Sequence, residues 1–214
     1  MRLFRQFIIF SIGAVKFRRG DYEAALELFR ESLDLKQQAF GDNSVSTAKT
    51  FHYIGKVHVK RGDFDAALEA FYSGLKVMRQ QLGDESADTV EILRNIAVVH
   101  YKKGWYHKAM VEFQDVLRTL KINPEIGPEH QDVAVALTNI GNVHAKLGEN
   151  KEALKSYSNA LIIKKDKLGE DHPDILDTLS NIGVVQFVMA NYHEALKTFF
   201  EVLNLQHKWQ VRWH

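Results

Sequence analysis

Gly62-Asp63-Phe64-Asp65-Ala66-Ala67-Leu68-Glu69-Ala70-Phe71 decides the fold, because the chain repeats it in altered form. Gly20-Asp21-Tyr22 leads to Ala25, Leu26 and Phe29, and Gly104-Trp105-Tyr106 leads to Ala109, Met110 and Phe113. Gly148-Glu149-Asn150 leads to Ala153, Leu154 and Tyr157, and Ala190-Asn191-Tyr192 to Ala195, Leu196 and Phe199. These starts lie 42, 42, 44 and 42 residues apart. A fixed period of this size marks a stacked repeat architecture, in which each unit contacts mainly its neighbours. The expectation is one elongated array.

Outward from the motif, each repeat reads as a helix pair, A then B. Helix A of the second repeat starts at the N-cap Ser44 and carries Phe51, Ile54, Val57 and His58 at helical spacing. Arg61-Gly62 ends it, with glycine as the left-handed cap. Helix B runs from about Asp65 through Leu68, Phe71, Leu75 and Met78 to Leu82; Gly83-Asp84 turns the chain and Ser86 caps the next helix A. Later repeats turn through Gly127-Pro128-Glu129-His130 and Gly169-Glu170-Asp171-His172-Pro173, with Pro173 expected in a first turn. The two extra residues of the 44-residue period lie near Asn123-Pro124, where proline should stop helix B early. Gly55, Ala97, Gly141 and Gly183 are expected to face helix B, and Ala67, Ala109, Ala153 and Ala195 to face back. Small residues on both sides allow backbones about 8 Å apart. Ile54, Phe71, Ile96, Phe113, Ile140, Tyr157, Ile182 and Phe199 are expected to fill the gaps between repeats.

Composition bounds the function. The 214 residues carry 28 basic and 27 acidic side chains, so no bulk charge draws the chain to nucleic acid or an anionic membrane. Cysteine is absent, which excludes disulfides and thiolate metal sites, and no Asn-x-Ser/Thr acceptor occurs. Both features fit a cytoplasmic protein. Residues 1–17 admit a signal-peptide reading, from Arg2 and Arg5 ahead of Phe7-Ile8-Ile9-Phe10. The repeat phase favours a first helix A, because Ile12-Gly13 precedes Gly20 by the offset that Ile54-Gly55, Ile96-Ala97, Ile140-Gly141 and Ile182-Gly183 keep from their own motifs. Lys16, Arg18 and Arg19 cut the apolar run short of a membrane span.

A small residue seven places before a G-x-Y/F-x-x-A turn, with an aromatic four places past the alanine, resembles the tetratricopeptide repeat. The 42-residue period, with Leu168-Gly169-Glu170-Asp171-His172-Pro173-Asp174 and Leu179-Ser180-Asn181-Ile182-Gly183, resembles the longer variety found in kinesin light chains. The resemblance implies an all-α, right-handed α-solenoid superhelix of five helix-turn-helix pairs. The expected repeats are 3–40, 44–82, 86–125, 130–168 and 172–208, one array over 1–208, with a tail over 209–214. Phe4, Phe7 and Phe10 have no repeat before them, and no polar capping helix follows the fifth repeat. The array is therefore either part of a longer one or self-associates through its ends.

Catalytic and metal chemistry find no constellation. His58, His100 and His144 share one phase, but helices about 8–10 Å apart cannot bring them to zinc distances of about 2.0–2.1 Å. They read as packing residues. His193-Glu194-Ala195-Leu196-Lys197 lacks the second histidine of a zinc-protease helix. There is no phosphate loop, no nucleophile elbow and no cysteine nucleophile. The expectation is no cofactor, no metal and no enzyme activity.

The remaining candidate is helix A, which lines the concave wall in the architecture the resemblance implies. Its exposed side is expected to hold Lys49, His52 and Lys56, then Glu91, Arg94 and Tyr101, then Thr138 and Asn142, then Asp177 and Ser180. Beside them run Asn95, Asn139 and Asn181 in one phase. A mid-helix asparagine has no propensity advantage. Each either bonds a neighbouring group of its own protein or serves a ligand, since an amide both donates and accepts. Likeness to kinesin light chains implies the second: a ladder along an extended peptide, with Lys49, Lys56 and Arg94 suited to acidic residues and Glu91 and Asp177 opposing them. The expected function is a protein-interaction scaffold that binds a peptide or partner helix. The alternatives are a structural or assembly segment, or a regulatory domain of a longer signalling protein or enzyme.

Overall fold

A computed structural model describes residues 2–124 and 126–212. Those residues form α-helices joined by short turns, with no strand. The helices are α1 (Arg2–Arg18), α2 (Tyr22–Phe40), α3 (Val45–Arg61), α4 (Phe64–Leu82), α5 (Ala87–Lys102), α6 (Tyr106–Ile122), α7 (Gln131–Lys146), α8 (Asn150–Leu168), α9 (Asp174–Val188) and α10 (Tyr192–Arg212). Odd-numbered helices are the expected A helices and even-numbered ones the B helices. Pro124 follows the early end of α6 at Ile122. The last helix runs past 208 to Arg212, so most of the expected tail is helical; residues 213 and 214 lie outside the described residues.

Local chemistry sets the boundaries. Ser44 and Ser86 accept from the backbone N–H of Thr47 and Thr89, and those threonines reach back to the carbonyls of Gly41 and Gly83. In the last two repeats His130 and His172 stand at the serine register, and each ring Nδ1 accepts from a backbone N–H two residues on. Pro173 stands at the register of Val45, Ala87 and Gln131, the first residues of α3, α5 and α7, and with helical φ −55° and ψ −35° it opens the first turn as expected. Helix A of the second repeat ends at Gly62, whose φ of +84° is the left-handed cap. The fifth repeat has Ala190 at this place, with φ +60°.

The helices divide into two compact units, 1–104 and 105–214, with the boundary between α5 and α6. In the first, α2 packs between α1 and α3, α4 packs between α3 and α5, and α3 also reaches α1 and α5. Phe71, Leu75, Met78, Ile92, Ile96 and Val99 form one buried cluster there, and Leu26, Phe29, Ile54 and Val57 another. In the second unit α7 packs against α6 and α8, and α9 against α8 and α10. Tyr157, Ile182 and Val185 form one cluster there; Ile175, Leu179, Val202 and Leu205 form the other.

The helix-A glycine faces helix B as expected, and what it meets there is the aromatic of its own repeat. A Cβ on Gly141 would stand 2.6 Å from the Tyr157 ring, and one on Gly183 would stand 2.7 Å from Phe199. Gly13 meets Phe29 in the same way, and Gly55 meets Phe71. The ring takes the volume of a missing side chain. These aromatics therefore lock the two helices of one repeat together, and Phe71 also borders Ile96 and Val99 of the next.

Candidate functional site

In the first unit the candidate wall is built by α3 and α5. Lys49, His52 and Lys56 lie on α3, and Glu91, Arg94, Asn95 and Tyr101 on α5. Contact between the two helices brings four of these into one network. Asn95 Nδ2 donates to His52 Nε2 at 2.8 Å and to the Glu91 carbonyl at 3.0 Å. The Glu91 carboxylate stands 3.6 Å from Lys56 Nζ and 3.8 Å from His52 Nε2. Lys49 pairs instead with Asp88 at 3.0 Å. Both lysines thus face carboxylates of their own protein, which cancels much of the positive charge expected for an acidic ligand.

His52 corrects the sequence reading. Expected on the exposed wall, it is buried, with its ring 5.8 Å from that of Phe71. Helical spacing alone cannot show that Asn95 and Glu91 of the next helix A close over it. Burial pushes its imidazole down to about 4; Glu91 opposes this and Lys56 adds to it. At neutral pH the ring is uncharged, with Nε2 accepting from Asn95 and the proton on Nδ1. Asn95 therefore engages both amide hydrogens within the protein, the first of the two readings open to it. Tyr101 is half-buried and keeps the register of Val59 and Ala145, which pack against the cores. Arg94 is half-buried as well.

In the second unit the wall is α7 and α9, with Thr138, Asn139 and Asn142 on the first and Asp177, Ser180 and Asn181 on the second. Asn142 Oδ1 accepts from the Tyr157 hydroxyl at 2.7 Å and from Asn181 Nδ2 at 3.4 Å. Thr138 donates to the carbonyl of Ala134. Asn139 is half-exposed, and its amide makes no hydrogen bond among the described residues.

The phased histidines have a separate role. His58 Nδ1 lies 3.3 Å from Asp63, and His144 Nδ1 lies 2.6 Å from Glu149. Lys16 meets Asp21 at the same register, 2.9 Å away. Each ties the last turn of helix A to the turn that follows. Among the described residues no cluster of His, Asp or Glu is placed to hold a metal ion, and no helix is long and apolar enough to cross a membrane.

The family model for the tetratricopeptide repeat matches residues 6–80 and 132–206. The chain belongs to the tetratricopeptide-repeat family. No curated protein matches its sequence. Solved structures share the tetratricopeptide fold at low identity. A Podosopora anserina kinesin light chain with nearly identical TPR-like repeats is 16% identical, over 96% of this chain and 97% of that one, with a TM-score of 0.76. BtubC (BKLC) from P. vanneervenii is 19% identical over 94% and 80%, with a TM-score of 0.80. A Rap protein complexed with Competence and Sporulation Factor is 14% identical over 98% and 56%, also at 0.80. These likenesses are of fold, and a kinesin light chain structure is among them.

Proposed function

We propose that this protein is a non-catalytic interaction scaffold that binds an extended peptide or a partner helix along the helix-A face of its repeats. One observation carries the reading: the Asn139 amide stands half-exposed in mid-helix with its hydrogen-bonding groups uncommitted, in the register of Asn181. Such an amide contributes little to helix stability, yet suits the N–H and C=O of a passing backbone. Relatives in fold include a Rap protein captured with another molecule, which supports a ligand-holding role. The paired state of Lys49 and Lys56 favours a ligand recognised by its backbone and apolar side chains over a strongly acidic one.

Panning a displayed library of random peptides against the chain tests this. Selected peptides should bind the Asn139→Ala, Asn181→Ala double variant at least about tenfold more weakly, a loss of about 1.4 kcal/mol. Circular dichroism should show both proteins equally helical. Equal binding by the two proteins would remove the asparagines from the site, and failure to enrich any peptide would count against the scaffold reading.

A further inference from the structure

The two ends of the helix series leave apolar faces open, and the chain itself shows what covers such faces. On α1, Ile8, Ile12 and Val15 are 58%, 45% and 57% exposed. One period on, the same register holds Thr50, Ile54 and Val57, then Ile92, Ile96 and Val99, then Ala136, Ile140 and Val143, then Thr178, Ile182 and Val185. Every one of these is buried, and the valines are at most 3% exposed. What buries them is helix B of the preceding repeat, as α2 lies on α3 and α8 on α9. At the other end, Leu196 and Leu203 of α10 are 58% and 56% exposed. Their counterparts Leu154 and Leu161 on α8 pack against Ile182 and Val185 of α9.

The open face of α1 therefore has the residues of a helix A awaiting a helix B, and α10 has those of a helix B awaiting a helix A. We propose that a second copy of this chain covers both faces head to tail, with α10 of one copy lying on α1 of the next as α8 lies on α9. Contiguous apolar surface on α1 and on α10 favours association. The register fixes its polarity: α1 matches α10, not a second α1. The contact is heterologous, so copies add head to tail into a ring or an open filament rather than stopping at a symmetric dimer.

Sedimentation velocity over a wide concentration range tests it with two variants of the full chain. Ile12→Glu, Val15→Glu spoils the first face, and Leu196→Glu, Leu203→Glu spoils the last; all four positions are exposed, so both variants should fold, as circular dichroism would verify. The wild type should grow in mass with concentration. Each variant alone should stay monomeric, and an equimolar mixture of the two should stop at a dimer, because one intact face of each kind remains. A wild type that stays monomeric up to millimolar concentration overturns the proposal and leaves the faces to another partner. Dimers formed by either variant alone would overturn it too, since they require a face to pair with itself.

Discussion

A single hydrogen bond makes His52 sensitive to acid. Its Nε2 accepts from Asn95 only while the ring is neutral, and burial holds the ring's pKa at about 4, below its ordinary 6.5. Between pH 6.5 and 4 the unfolded chain binds a proton that the native state refuses, so stability falls with acid across that window and is fully present above it. Denaturation at a series of pH values should show this slope in the wild type and a shallower one in His52→Gln; parallel profiles would mean that His52 does not titrate this way. Ala190 offers a second test. Its φ of +60° occupies the register where the other repeats have glycine. Ala190→Gly should raise stability by roughly 0.5–1 kcal/mol in thermal or chemical unfolding, because the left-handed penalty outweighs the added chain entropy. The two residues differ in legibility. Ala190 is visible as a departure from a periodic glycine. His52 is not, because its burial depends on side chains of another helix some 40 residues away.

Helices and caps follow local chemistry, which is why serine, glycine and proline positions located nearly every boundary. Contacts between repeats are less legible, and buried lysines illustrate this. Lys36 of α2 donates to Thr50 of α3 at 2.9 Å and stands 4.1 Å over the Phe10 ring. Lys164 of α8 donates to Thr178 of α9 at 2.8 Å and to the Asp174 carbonyl. The lysine register reads Lys36, Met78, Leu120, Lys164, and the facing register reads Thr50, Ile92, Ala136, Thr178. A polar residue thus meets a polar one, or an apolar residue an apolar one, at each junction. Only alignment of two registers at once reveals the pattern. Thr50→Ile alone should cost roughly 1–3 kcal/mol by stranding a buried ammonium. Lys36→Met with Thr50→Ile should recover most of that loss, because it recreates the apolar pairing of Met78 with Ile92. A double-mutant cycle by urea unfolding measures the coupling, and additivity within about 0.5 kcal/mol would show that the pair acts independently. Burial also pushes Lys36 down to about 8. From there to pH 10.5 the unfolded chain holds the proton that the native state has lost, so wild-type stability should rise relative to Lys36→Met.

At the scale of the molecule, one helix type presents two surfaces with different work. The candidate ligand wall uses the register of Asn139 and Asn181, while the stacking face uses the next residue along, the register of Ile12, Ile140 and Ile182. Adjacent residues on an α-helix point about 100° apart, so one helix A can meet its neighbour and still offer a wall. In α1 the wall position is Ser11 and the stacking position Ile12, so the open end carries a complete stacking face without the asparagine. Ligand binding and end-to-end assembly should therefore separate. Leu196→Glu, Leu203→Glu should bind a selected monovalent peptide with wild-type affinity per chain while remaining monomeric. Asn139→Ala, Asn181→Ala should lose the peptide and still gain mass with concentration. Isothermal titration and sedimentation on the same two proteins decide the matter. If the end variant also lost the peptide, the ligand would bind only across the junction between copies, and assembly would be a condition of recognition rather than a separate property of the repeats.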